Sequence, residues 1–276
     1  MNSSSTYSAS LREMFASAWR NRQLIVRMAK RDVIGRYRGS MLGIAWSFFN
    51  PLLMLAVYTF VFSVVFTARW GDGVGDSKTA FAMLLFTGMT VHGVFAECLN
   101  RAPSLILANA NYVKKVIFPL EVLPWVAFAS ALFHASISFG VLLLAQLLIN
   151  GYLHWTVVLF PLVLLPLVLA TLGFTWLTAS LGVYIRDVGQ VTMMFTTILL
   201  FMSGIFYPIS SLPPEYQEWM RFNPLSYIIV ESRNTLLLGV VPDFARLSLY
   251  LVGGLLIAWL GFAWFQRSRR GFADVV

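Results

Sequence analysis

The sequence predicts an all-α integral membrane protein with six transmembrane helices. Three observations carry that expectation. Of 276 residues, 58% are hydrophobic and only 12% are charged, against roughly 25% charged in an ordinary soluble domain. Mean hydropathy is +0.74. Apolar runs near the ~20 residues that a helix needs to cross hydrocarbon recur along the whole chain. They lack the polar stripe at helical period that a soluble core helix turns to water.

The spans fall at Ile44–Phe66, Ala80–Leu99, Val122–Ile149, Trp155–Ile185, Val191–Tyr207 and Leu247–Phe265. Pro161 and Pro166 predict a kink or an interfacial start in the fourth. An even number of spans puts both termini on one side. Fifteen of the twenty Lys and Arg residues fall there: in the N-terminal segment, the Asn100–Glu121 loop, at Arg186 and after the last span. The positive-inside rule makes that side the cytoplasm, so the expected location is the cytoplasmic (inner) membrane, multi-pass, with both termini cytoplasmic. The net charge of +8 clusters beside apolar spans, which points to anionic lipid headgroups rather than nucleic acid. A single cysteine, Cys98, excludes an intrachain disulfide framework and reads as a small apolar filler. No cleavable signal peptide is expected, because the first apolar run is long enough to remain in the membrane.

Two segments are neither span nor plain loop. Leu11–Arg38 mixes Leu, Met, Phe, Trp and Ile with eight basic residues, the composition of a helix lying in the cytoplasmic interface. Ser211–Val241 predicts a short helical pair on the outer side, dipping part-way into the membrane. Its first helix has Ser211 near the N-cap and prolines in the first turn; its second has Asn223 as N-cap, Pro224 at the first helical position and Gly239 as the stop.

The chain contains no GxxxxGK[ST], hence no phosphate-cradling loop of its own. If the chain's work runs on ATP, a partner must hydrolyse it; an ion gradient is the alternative. The stretch NANYVKKVIFPLEVLP, within a polar segment over Pro103–Phe118, offers a handle. Tyr112, Val113, Ile117 and Phe118 can fill a cleft while Lys114 and Lys115 stay at its rim; sidedness alone allows a plain basic loop. Phe48, Tyr58, Phe62 and Phe66 fall within about 80° of one another on a helix. Phe195, Met202 and Phe206 share a face of the fifth span. Uncharged flat side chains suit a sliding sugar, and they equally suit helix packing or lipid contact.

Buried ionisable residues are functional candidates in a membrane, here His92, Glu97, His134, Glu231 and Arg233. The histidines are too scattered to hold a metal. Glu231 and Arg233, two residues apart, point to different sides of a helix. Arg186 and Asp187 are expected to satisfy the helix ends around a short turn. Asp72 and Asp76 in WGDGVGD are the carboxylates that a membrane glycosyl- or acyltransferase would use, but they carry ordinary turn chemistry. A proton-coupled carrier lacks a buried carboxylate relay.

RDVIGRYRGSMLGIAWSFFNPLLMLAVYTFVF resembles the start of the permease subunit of ABC-2 type polysaccharide exporters. NANYVKKVIFPLEVLP, GVYIRDVGQ and SGIFYPISSLPPEYQEWMRFNPLSYIIVESRNTLLLG match the same family in the same order. The resemblance covers nearly all of residues 1–276 as one transmembrane domain. It implies an exporter of lipid-linked O-antigen, capsule or teichoic acid; a permease for drugs or lipids shares the architecture. It also implies a homodimer, a coupling helix between spans two and three, a re-entrant pair before span six and an aromatic-lined channel. Two separate ATPase subunits would bind ATP and Mg, with no catalytic residue, metal or cofactor in this chain. On that reading Arg27, Lys30, Arg31, Arg36 and Arg38 lie where they attract the carrier lipid's phosphates.

Overall fold

The structure, a computed structural model, describes residues 8–61, 78–114 and 118–275, and every regular element among them is helical. Phe62 and Phe66, together with Asp72 and Asp76, lie outside the described residues, as do Lys115 and Ile117.

The N-terminal segment is two helices rather than the single one expected. α1 (Leu11–Arg20) starts at Ser10, whose hydroxyl accepts from the Glu13 N–H. It stops at Asn21, which donates its backbone N–H to the Ser17 and Trp19 carbonyls and its side-chain amide to the Ser17 carbonyl. An asparagine that bonds the preceding turn competes with helix continuation, and α2 (Arg22–Tyr37) begins as a separate helix after it.

Among the described residues, five helical stretches are long and apolar enough to cross a membrane: Gly43–Phe60, Thr79–Leu105, Leu120–Asn150, Trp155–Tyr184 and Phe244–Val275. The first four correspond to α3 (Trp46–Phe60), α4 (Lys78–Leu105), then, after the short α5 (Ala110–Val113), α6 (Leu123–Asn150) and α7 (Phe160–Tyr184). The expected fifth span is α8 (Val188–Phe201), of 14 residues. At 1.5 Å per residue it covers about 21 Å, less than the ~30 Å of hydrocarbon. It ends early because the chain turns over at Gly204, where φ is +64°. Phe206 is therefore off the helix that carries Phe195, and it stacks on Phe201 instead.

Beyond that turn come α9 (Pro214–Phe222) and α10 (Pro224–Arg233). Ser211 belongs to the preceding turn, and Pro213 takes the cap position of α9. Asn223 caps α10, accepting from the Leu225 N–H at 3.0 Å, and its amide reaches back to the Met202 carbonyl. The helix loosens over Asn234–Leu238 and ends at Gly239, whose φ of +69° suits glycine. α11 (Phe244–Ser268) and α12 (Phe272–Val275) finish the chain.

The core is built around α4, α6, α7 and α11, with Trp176, Phe262 and Phe265 among its fully buried side chains. α7 and α11 meet backbone to backbone: a Cβ on Gly261 would collide with the Gly173 carbonyl, and one on Gly254 with the Pro166 carbonyl. Small residues permit such approaches between membrane helices. α3 is the opposite case. Phe48, Leu53, Val57 and Phe60 are 40–60% exposed, so this helix leans on the bundle through one narrow edge.

Candidate functional site

At the end of the bundle where α1, α2, α5 and α12 gather, the segment after α4 forms a short turn (Leu107–Asn109) and then α5. The Asn109 amide donates to the Leu105 carbonyl at 2.8 Å and closes that turn. Leu107, Ala108, Asn111 and Lys114 are exposed and follow one another at helical spacing, forming the outward surface. Tyr112 and Phe118 turn inward instead, stacked at 4.3 Å and half-buried against the core together with Val113. Arg31 donates to the Tyr112 hydroxyl at 3.2 Å, which ties α2 to this segment.

A buried junction holds the segment's far end. Arg269 donates to the Glu121 carboxylate at 2.6 Å and to the Phe118 carbonyl at 2.8 Å. Ser17 of α1 donates to the other Glu121 oxygen at 3.0 Å, and Trp176 of α7 donates to the Glu121 carbonyl at 3.1 Å. α1, α7 and the end of α11 thus converge on one carboxylate whose side chain is 10% exposed. A buried ion pair is tolerated only with its remaining lone pairs satisfied. Sequence reasoning missed this centre, because Glu121 and Arg269 sit 148 residues apart with no local motif.

A second charged cluster joins α2 to α4. Arg101 grips the Asp32 carboxylate with bonds of 2.8 and 2.9 Å, while Arg36 pairs with Glu97. Burial alone would raise the Asp32 carboxyl, but the Ser130 hydroxyl and the Arg101 and Arg36 guanidiniums outweigh it and hold it below its usual range. Glu97 and Arg36 are thereby paired with each other. Arg27, Lys30, Arg31 and Arg38 remain exposed along the same helix.

The aromatic residues separate. Phe48 is 42% exposed, whereas Tyr58 packs against the core. Phe195 and Met202 sit seven residues apart on the open face of α8, Phe195 edge-on to Phe95 at 6.5 Å. His92 reaches the Thr196 carbonyl at 2.9 Å, and the Thr196 hydroxyl donates to Asn100, which pins α8 to α4. His134 lies between Tyr37 and Phe133. Arg186 and Asp187 are both exposed, and the Asp187 carboxylate makes no cap bond; only its backbone carbonyl receives the first N–H groups of α8.

At the opposite end, Arg233 is buried, only 4% exposed. Its guanidinium donates to the carbonyls of Leu84, Gly204 and Ile205, at 2.8, 2.9 and 2.9 Å. The turn after α8 leaves the Gly204 and Ile205 oxygens without helical partners, and the fork geometry of arginine lets the same side chain also reach the Leu84 carbonyl of α4.

Residues 10–237 match a family model described as ABC-2 type transporter. The chain belongs to the ABC-2 type transporter family. Among the relatives of this ABC-2 chain is the O-antigen export system permease protein RfbA of Myxococcus xanthus, 26% identical over 257 residues, covering 92% of this chain and 96% of the relative. The Klebsiella pneumoniae protein of the same name is 25% identical, covering 92% and 95%. The polysialic acid transport protein KpsM of Escherichia coli is 23% identical, covering 86% and 90%.

Proposed function

We propose that this ABC-2 protein is the membrane subunit of an ATP-driven exporter that moves a lipid-linked polysaccharide, of the O-antigen class, across the cytoplasmic membrane. The observation that carries this reading is the end-to-end similarity to O-antigen export permeases, which leaves almost none of the relative unmatched. With no phosphate loop in the sequence, the work comes from two separate ATPase subunits, which bind the ATP and Mg. The termini and the Pro103–Phe118 segment face the cytoplasm, where the positive charge is concentrated.

The ATPase docks on the exposed edge formed by Leu107, Asn111 and Lys114; Lys115 and Ile117 are assigned to the same contact on the sequence alone. Tyr112, Val113 and Phe118 act from behind, stiffening that edge. A displacement of the segment reaches α1, α7 and α11 through Glu121. Two copies of the chain enclose the path, because the broad apolar faces of α3 and α8 stand exposed among the described residues. Phe48, Phe195 and Met202 lie on those faces; Tyr58, Phe62, Phe66 and Phe206 complete the aromatic set assigned to the path. Arg27, Lys30, Arg31 and Arg38 attract the carrier phosphates, each adding roughly 1 kcal/mol near an anionic surface; Arg36 is already paired.

The test is complementation. In a strain lacking its O-antigen permease, this chain with its cognate ATPase should restore polysaccharide at the cell surface. Surface glycan that stays absent while the chain is inserted and bound to its ATPase would overturn the substrate class.

A further inference from the structure

At the end of the bundle away from the termini, two adjoining cavities open between α10 and α11, the inner one also walled by α7 and α8. The outer one, about 530 Å³, is lined by Tyr227, Glu231, Asn234 and Arg246 among others. The inner one, about 340 Å³, is almost wholly apolar, with Phe174, Phe195, Leu199 and Gly253 on its walls. They share Phe222, Leu249 and Tyr250, so one molecule can occupy both. Each falls within the ~300–1,000 Å³ of ordinary ligand sites.

The polar groups define the ligand. Glu231 is 8% exposed, and its Oε2 has no hydrogen-bond partner among the described residues. A buried carboxylate oxygen calls for a donor, best a cationic one. Arg246 stands at the mouth, its side chain 70% exposed and, among the described residues, paired with Asp243 at 3.4 Å, which leaves it able to take an anion. Tyr227 and Tyr250 stack at 4.2 Å and form a flat wall beside the outer cavity. The ligand therefore carries a cation with N–H donors, a neighbouring anion and a long apolar tail.

We propose that the two cavities form a binding site for a phospholipid with a primary ammonium headgroup, of the phosphatidylethanolamine class. The ammonium meets Glu231, the phosphate meets Arg246, and one acyl chain fills the inner cavity. A phosphatidylcholine headgroup offers no N–H to Glu231. A phosphatidylglycerol headgroup brings negative charge without a cation. A free glycan would satisfy Glu231 but leave the apolar chamber empty. The inner cavity borders the proposed export path at Phe195, but the lipid assignment rests on Glu231, Arg246 and the apolar chamber and not on that path.

The full chain, purified in detergent, would be incubated with an equimolar mixture of phosphatidylethanolamine, phosphatidylcholine and phosphatidylglycerol, and retained lipid read by native mass spectrometry. Phosphatidylethanolamine should be retained roughly tenfold over the other two, the factor expected of one hydrogen bond to a charged group. Glu231→Gln should erase that preference. A Cβ added at Gly253 meets nothing within 4 Å, so Gly253→Leu grows into the chamber without displacing backbone, and it should abolish retention of all three lipids. Phosphatidylethanolamine with a photoreactive group in its acyl chain should label Phe174, Phe195 or Leu199. Equal retention of the three lipids by the wild-type chain, or labelling confined to other helices, overturns the proposal even if both variants fail to fold. Displacement of the label by a soluble oligosaccharide but not by phosphatidylethanolamine would assign the site to a glycan and overturn it too.

Discussion

The Arg269 guanidinium closes on the Glu121 carboxylate at 2.6 Å, and the same arginine holds the Phe118 carbonyl at 2.8 Å. One side chain therefore fixes both the polar segment that follows α4 and the start of the helix that follows it. Removing either charge leaves the other buried and uncompensated. We predict that Arg269→Ala or Glu121→Ala lowers stability by about 3–5 kcal/mol, and that the double variant loses less than the sum. Thermal unfolding of the purified chain in detergent measures this; strictly additive losses would mean that the pair does not act as a unit.

The α7–α11 contact predicts a sharp contrast among glycines. Gly173→Ala must push a methyl group into the Ile257 backbone, whereas Gly93→Ala and Gly140→Ala meet nothing within 4 Å. The first should cost about 1–3 kcal/mol, and the other two should leave stability unchanged or slightly raised. Unfolding temperatures of the three variants decide it.

Asp32 predicts a pH dependence. Its carboxyl is held below the usual value of 3.8, so its pairing with Arg101 contributes fully above that value. The contribution fades as the pH falls through the lower, folded-state value. Asp32→Asn should therefore be less stable than the wild-type chain near neutral pH, by about 1 kcal/mol for a part-exposed bidentate pair. The gap should narrow in strong acid. A gap that widens there would place the stabilising charge elsewhere.

The proposed docking edge predicts a division of labour. Leu107→Asp changes a side chain that is 41% exposed, so it should leave unfolding unaltered while cutting copurification with the ATPase by roughly tenfold, the effect of losing one apolar anchor. Tyr112→Ala breaks the stack with Phe118 and the bond from Arg31, so it should lower stability as well. Matched pull-down and unfolding measurements on the two variants separate docking from support. Equal binding by Leu107→Asp would remove that edge from the interface.

Arg233 predicts an effect on the turn after α8. Arg233→Lys keeps the charge but cannot span three carbonyls, so it should behave almost as badly as Arg233→Ala. Proteolysis or cysteine labelling near Gly204 reads the loosening. Full protection in the lysine variant would show that charge alone suffices.

Much of the helical layout was legible because membrane solvent imposes one rule, long apolar runs, and α4, α6, α7 and α11 obey it. The caps at Asn223 and Gly239 were legible for local reasons of backbone chemistry. What failed to show was set by distance or by competition. The break at Asn21 depends on a side chain choosing the Ser17 carbonyl over water. The early end of α8 depends on Arg233, 28 residues beyond Ile205, taking over its orphaned carbonyl. Hydropathy continues smoothly through Met202–Tyr207 and gives no sign of that turn. The inward orientation of Tyr112 and Phe118 likewise needs a partner, each other, that composition cannot announce.

The Glu121–Arg269 junction also has an order in time. Translation produces Glu121 before α6, α7, α8 and α11 exist, while Arg269 emerges only after the last of them. Until then the carboxylate has its proper cation nowhere in the nascent chain. The four walls of the junction (α1, the Phe118 strand of loop, α7 and the end of α11) can therefore lock only after the last membrane crossing has been made. A chain released before Arg269 keeps an open seam there, and that seam is what a membrane protease would find first.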